Sequence, residues 1–242
     1  MTAGGRPSPR AILLDIEGTT TPIAFVHRVL FPFARVRLRE FLEAHRDEPR
    51  VRTLVDAFTV EHAADRAAGA SPPPWDGTLD AAGAYAHWLM DLDRKSPALK
   101  QLQGWIWEEG YRAGQLKSEV YPDVAPAVRR WRAEGLDAAI YSSGSELAQR
   151  LLFGATPDGD LTPLFSRFFD TAVGPKTSPA SYARIAAALD REPAEVVFIS
   201  DVSAELRAAA AAGLQVRLSM RPGNADQPDA AAFEAIRSLE EI

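Results

Sequence analysis

Three short apolar runs, AILLD at 11–15, LDAAIYSS at 136–143 and EVVFISD at 195–201, each end on polar or acidic residues. Each has the length of a buried strand, and near-continuous apolar character suits a parallel sheet covered on both faces. A fourth run, LQVRLSM at 214–220, is more alternating. Helical patterns lie between the later runs, at 145–153, 178–189 and the alanine-rich 203–212. Ser178 followed by Pro179 is expected to cap and open the second of these helices. Strands alternating with helices predict an α/β fold with a Rossmann-like parallel-sheet core. In such sheets, sites form beyond the carboxyl ends of the strands.

The segment from 25 to 120 breaks that rhythm. It carries no convincing strand and reads as four helical stretches, near 27–46, 50–68, 78–92 and 98–113. In the last, Leu99, Leu102 and Ile106 keep helical spacing with Trp105 beside them. GASPPPWDG breaks the chain between the second and third. The expected organisation is a core formed by 1–24 and 116–242, with an inserted α-helical cap at 25–115 acting as a lid.

A chain of 242 residues can hold a core of about 140 residues and a smaller second unit. Its net charge of -6 and pI of about 5.3 leave no global basic field for a nucleic acid or an anionic membrane. The basic clusters RVRLRE and VRRWR read as solvated helix faces. The absence of cysteine excludes disulfides, thiolate metal sites and a Cys nucleophile. The opening MTAGGRPSPR has no apolar segment of the signal-peptide kind, and no apolar run approaches membrane-spanning length. A soluble, cytoplasmic protein is expected, and a monomer is compatible with one site per chain.

Four strand ends carry the candidate chemistry. Asp15 and Glu17 follow the first run in ILLDIEGTTTPI; the same residues also suit a simple turn. Ser142 and Ser143 end the second run before Gly144, and hydroxyls with backbone N–H groups at a helix start make an anion cradle. An ordinary strand-to-helix turn capped by Ser145 is the alternative. Lys176 in VGPKTSP is either solvated surface or an ammonium aimed back over the sheet end. Asp201 ends the most apolar run, where an acid is costly unless it is paired, metal-bound or capping the next helix. Glu205 follows four residues later.

Together these positions supply a carboxylate nucleophile, an adjacent acid, an anion cradle, a compensating cation and a second carboxylate for a metal. That inventory matches phosphoryl transfer. An oxygen-only donor set suits Mg²⁺. Attack by Asp15 on phosphorus would split hydrolysis into two easier steps, with Lys176 offsetting charge. Glu17 would protonate the leaving oxygen and later take a proton from water. An offset of two keeps both acids on one side if extended backbone persists that far.

With Asp15-Ile16-Glu17-Gly18-Thr19 in place of the usual D-x-D-x-T, the chain resembles the haloacid dehalogenase superfamily, in its phosphatase branch. LLDIEGTTTPIAFV, DRKSPALKQLQG, YSSGSELAQRLLFG and RPGN resemble the enolase-phosphatase family of methionine salvage, nearly end to end. The resemblance implies one Mg²⁺ and a phosphorylated diketone substrate, 2,3-diketo-5-methylthiopentyl 1-phosphate, which is enolised and then dephosphorylated to an acireductone. It implies Asp15 as nucleophile and metal ligand, and Glu17 as acid/base with its backbone carbonyl on the metal. Ser142 and Ser143 become phosphate and substrate contacts, Lys176 the charge-compensating lysine and Asp201 a metal ligand. Glu205 is expected to act in support of these groups. Most of DRKSPALKQLQG reads as a helix turn with solvated charges and a packed Leu99–Leu102–Ile106 face, with Lys100 and Gln103 as candidates to reach the diketone. No residue stands out as the enolisation base.

Three alternatives remain on these grounds. A generic small-molecule phosphatase would share the strand ends but not the helical segment's signature. A dehalogenase would work without metal, and a catalytically silent binding module would keep only the fold.

Overall fold

The computed structural model describes residues 7–242, so the reading of the first six residues lies outside the described part. Two compact units are present: residues 7–26 with 117–242, and residues 27–116.

The first unit is built on a six-stranded sheet: β1 (Ala11–Leu14), β2 (Asp137–Tyr141), β3 (Arg167–Phe169), β4 (Val196–Ser200), β5 (Gln215–Ser219) and β6 (Ala235–Ile236). Their spatial order is β3-β2-β1-β4-β5-β6, and every pairing is parallel. The pairings Leu14↔Ile140 and Leu14↔Ile199 bring the carboxyl ends of β2, β1 and β4 level. The chain winds outward from β1 through β2 to β3, then crosses back to β4 on the other side of β1. That reversal creates a crevice at the carboxyl ends of β1 and β4, the place where open α/β sheets bind ligands. All four residues of β1 and all five of β4 are buried, as strands covered on both faces must be.

Besides the short α1 (Ile23–Phe25), the helices of this unit are α6 (Val124–Ala133), α7 (Glu146–Gly154), α8 (Pro179–Ala188) and α9 (Ser203–Ala211). Tyr182 and Ile185 of α8 and Leu206 and Ala209 of α9 close over Leu13, Tyr141 and Phe198 in one buried cluster. Ser145 caps α7 by accepting from Ala148 N at 3.3 Å. Ser178 holds the N-cap position of α8 with Pro179 following, but its side chain makes no capping bond. Asp201 is not the cap of α9; Val202 holds that position.

The second unit is entirely helical: α2 (Phe31–Ala44), α3 (Pro49–Ala67), α4 (Leu79–Asp91) and α5 (Pro97–Arg112). The expected first helix is divided, with a π-helical turn at Val26–Leu30 ahead of α2. Pro32 in the first turn of α2 has no N–H to donate, which leaves the preceding carbonyls to a wider turn. Thr78 caps α4 and Ser96 caps α5 through their hydroxyls. Leu99, Leu102 and Ile106 are buried, as their spacing predicts. No described helix is long and apolar enough to cross a membrane.

Two strands and one helix were not legible beforehand. β3 and β6 hold three and two residues, too few for a pattern to register, and only their ladder partners define them. α6 was visible only as a basic face; Val124, Ala127, Val128 and Trp131 form its buried side.

Candidate active site

β1 ends at Leu14, and the next residue places a buried carboxylate in the crevice. Asp15 N donates to Ile199 O at 3.0 Å, continuing the ladder by one residue. Asp15 Oδ1 accepts from Ile16 N at 2.7 Å, and Thr20 Oγ1 donates to Asp15 O at 3.1 Å. The backbone then curls around one carbonyl, Ile16 O, which accepts from the N–H groups of Thr19, Thr20 and Thr21. Extended geometry therefore stops before Glu17. The relation between the two acids is set by a turn instead of by strand alternation. Gly18 lies in that turn at φ +67, and a Cβ there would run into the Asp201 carboxylate. Both the positive φ and the close approach require glycine.

Lys176 is not surface. Its Nζ lies 2.6 Å from Asp15 Oδ1 and 2.6 Å from Glu205 Oε2, with the side chain only 9% exposed. Tyr182 OH donates to Lys176 O at 2.7 Å, Ser181 Oγ to Pro175 O at 2.8 Å and Tyr141 OH to Gly174 O at 2.8 Å. Three core hydroxyls thus fasten the loop that delivers the ammonium. Burial acts against its charge, but the carboxylates of Asp15 and Glu205 outweigh it and hold Lys176 above the ordinary lysine range.

Ser200, the last residue of β4, joins the same cluster. Its Oγ sits 3.1 Å from Asp15 Oδ2 and 3.0 Å from Glu205 Oε2, and it accepts from Val202 N at 3.1 Å. The sequence reading passed over Ser200; its position one residue before Asp201 at the end of an apolar run was the available signal. Glu205, expected only as a supporting acid, bonds directly to Lys176 and Ser200.

Asp201 is 7% exposed. Burial, then the charges of Asp15 and Glu205, push its carboxyl up to about 7. Burial and the Asp15 charge likewise raise Glu205 to about 7, against the pull of Lys176. Three acids thus face one lysine in low dielectric, an imbalance that leaves negative charge uncompensated.

On the other side of β1, Ser142 is buried and Ser143 exposed at the end of β2. Ser142 N donates to Phe169 O at 3.1 Å, and Ser142 Oγ accepts from Gly144 N at 3.2 Å. The hydroxyl is tied within its own loop rather than to the carboxylates.

A buried lysine bonded to an acid at the end of β1 thus lies with a second acid after β4 and a serine–glycine loop after β2 on neighbouring strand ends. A haloacid dehalogenase-like hydrolase model matches residues 9–213. The chain belongs to the haloacid dehalogenase-like hydrolase family. Within it, the chain is 54% identical to Enolase-phosphatase E1 of Synechococcus elongatus, over 88% of this chain and 90% of that protein. Enolase-phosphatase E1 of Acidiphilium cryptum is 51% identical, over 94% of both chains. Among solved structures, the UTR4 protein of Saccharomyces cerevisiae superposes with a TM-score of 0.79 at 34% identity, covering 97% of this chain and 100% of that one. Membership of the enolase-phosphatase E1 group follows from identity at this level over nearly the whole length.

Hydrolases of this family generally use a divalent metal. The residues here fit one. Among the described residues no three His, Cys, Asp or Glu side chains form a metal-holding group; Asp15 and Asp201 are the carboxylates here that could hold such an ion. A hard cation that keeps waters and takes substrate phosphate needs no more. The excess of acid over lysine is the charge such an ion would balance.

Proposed function

We propose that this chain is the enolase-phosphatase of methionine salvage, acting on 2,3-diketo-5-methylthiopentyl 1-phosphate to give the acireductone and phosphate. The observation that carries the reading is the buried Lys176 shared between Asp15 and Glu205 at 2.6 Å each. It aims the Asp15 carboxylate while meeting the charge of an incoming phosphate.

In this reading an Asp15 carboxylate oxygen forms the new bond to phosphorus as the bond to the substrate's C1 oxygen breaks. Glu17 gives that oxygen its proton. Glu17 then takes a proton from water, which attacks the same phosphorus and frees both phosphate and Asp15. Ser142 and Ser143 hold the phosphoryl oxygens from the β2 side. Glu205 and Ser200 orient Lys176 and Asp15, and Lys176 supplies positive charge for the enediolate of the preceding enolisation. The metal, assigned as one Mg²⁺ on Asp15, Asp201 and the Glu17 carbonyl, would neutralise charge between phosphate and nucleophile. The sheet unit is assigned the catalysis. The reading includes a cytoplasmic monomer.

The test follows the diketone's absorbance, the enol's absorbance and phosphate release together, with Mg²⁺ and with EDTA. Enol formation followed by phosphate release, both lost in EDTA, is expected. Phosphate release with no enol, or equal rates on unrelated sugar phosphates, would replace the reading with a generic phosphatase.

A further inference from the structure

Two carboxamide side chains outside the reacting groups make the same pattern of bonds. Gln149, buried in α7, donates from Nε2 to Gly144 O at 2.9 Å and to Phe169 O at 2.8 Å. Asn224, in the RPGN turn after β5, donates from Nδ2 to Gly18 O at 2.9 Å and to Ser219 O at 3.1 Å. In each case one amide nitrogen joins the carbonyl of a site-loop glycine to the carbonyl of the last residue of a strand. Phe169 ends β3 and Ser219 ends β5.

Carbonyls only accept, so these contacts fix which end of each amide faces them. The amide oxygens are turned away, and both Gln149 Oε1 and Asn224 Oδ1 are buried with no hydrogen-bond partner. Each orphaned oxygen costs stability. Asn224 Oδ1 also lies 2.8 Å from where a Cβ on Gly18 would sit, on the side of the Asp201 carboxylate. The neighbourhoods differ, however. Gly144 follows Ser142 and Ser143, the oxyanion side; Gly18 follows Glu17 and abuts Asp201, the metal side.

We propose that Gln149 and Asn224 are positioning residues with separate charges: Gln149 holds the phosphate loop in register and Asn224 holds the metal-side loop. The inference deepens the proposed function and rests on its division of the site into an oxyanion half and a metal half. A small displacement of a loop carbonyl moves its neighbours by a similar amount, and supporting bonds of this kind change ligand affinity about 10- to 100-fold.

The test uses two probes that bind without turnover: Mn²⁺ alone, read from the EPR signal of the free ion, and orthovanadate at saturating Mn²⁺, read by calorimetry. Gln149→Met is expected to weaken orthovanadate about tenfold and leave Mn²⁺ within about twofold. Asn224→Leu is expected to weaken Mn²⁺ about tenfold and leave orthovanadate, at saturating metal, within about twofold. Thermal unfolding is followed in parallel; a variant that does not fold is replaced by Gln149→Glu or Asn224→Ala and read by the same split. Equal weakening of both probes in each variant, or no change in either, overturns the inference. The split concerns only the site's two halves. If it appears while the diketone phosphate is not turned over, the assigned substrate fails and the inference stands.

Discussion

Asp65 in the helical unit and Asp201 in the sheet unit are both buried acids, yet their surroundings act on them in opposite directions. Asp65 receives Tyr85 OH at 2.6 Å on one oxygen and Arg94 Nη2 at 2.5 Å on the other. Burial works against its charge, but those donors and the guanidinium outweigh it and hold the carboxyl below its ordinary range. Asp201 has Asp15 and Glu205 as its electrostatic neighbours, and its carboxyl rises to about 7. A satisfied acid is scaffold: it ties α3 to α4 and to the loop before α5. Crowded acids keep unfavourable free energy in the folded state, which a bound cation or substrate can relieve. Burial alone does not separate the two cases; the count of donors does.

The sharpest way to break this contrast is Asp15→Asn, which is expected to cut phosphate release by about four orders of magnitude or more with the fold intact. Asp65→Asn should leave turnover per folded molecule unchanged, and robust turnover by the Asp15 variant would remove that residue from the nucleophile role. Asp201→Asn comes next. It should weaken Mn²⁺ roughly a hundredfold, yet raise metal-free unfolding free energy at pH 8 by about 1 kcal/mol, because a repelled charge is gone. A loss of stability in urea titration would contradict the crowding argument.

Asp65→Asn itself is expected to destabilise by about 2 kcal/mol, since Arg94 loses its carboxylate and the buried Tyr85 hydroxyl its charged acceptor. A change of less than a few tenths in the urea midpoint would show that Asp65 is no scaffold.

The two acids also differ in pH response. Between about pH 4 and 7 the folded metal-free protein keeps protons on Asp201 and Glu205 that the unfolded chain has released. Their effect is therefore a stability that falls as pH rises through that window and then levels. Asp65 has the reverse sign: its stabilisation is full above the ordinary carboxylate pKa and fades as pH falls through the lowered folded value. Metal competes with the protons on the raised acids, so Mn²⁺ affinity should increase by up to about tenfold per pH unit below 7. Flat affinity from pH 5.5 to 8 would contradict the raised carboxyls. At the small end, Arg112→Ala removes an exposed i,i+4 partner of Glu108 and should change stability by only ~0.3 kcal/mol.

How far these features could be read beforehand depends on whether the signal is local. β1, β2, β4 and β5 lie within a residue or two of their apolar runs, because a strand covered on both faces must be apolar along its length. The strand-end positions of Asp15, Ser142 and Asp201 were legible for the same reason: a polar residue closing such a run marks where the chain leaves the core. Glu17 shows the limit. Its spacing from Asp15 suggested strand alternation, but the bonds to Ile16 O turn the chain first. Lys176 was ambiguous in sequence because a lysine in a loop is usually solvated. Only the Tyr141, Ser181 and Tyr182 hydroxyls, which bond to carbonyls of Gly174, Pro175 and Lys176, bring it inside. Gln149 and Asn224 left no clear mark and Ser200 only its place before Asp201, since serines and amides are common and each also bonds to a partner 20 to 206 residues away.

From the sequence alone came the alternating α/β core, the helical insertion, the exclusion of thiol chemistry and the acid pair of ILLDIEGTTTPI that led to the family. These follow from periodicity and residue chemistry, which neighbours along the chain carry between them. The tertiary structure decided the order of the strands, and with it the crevice between β1 and β4 where distant acids meet a single lysine. It also decided which acids are satisfied and which are crowded. Donor and acceptor counts belong to positions in space, and the chain order of Asp15, Lys176, Ser200 and Glu205 does not contain them.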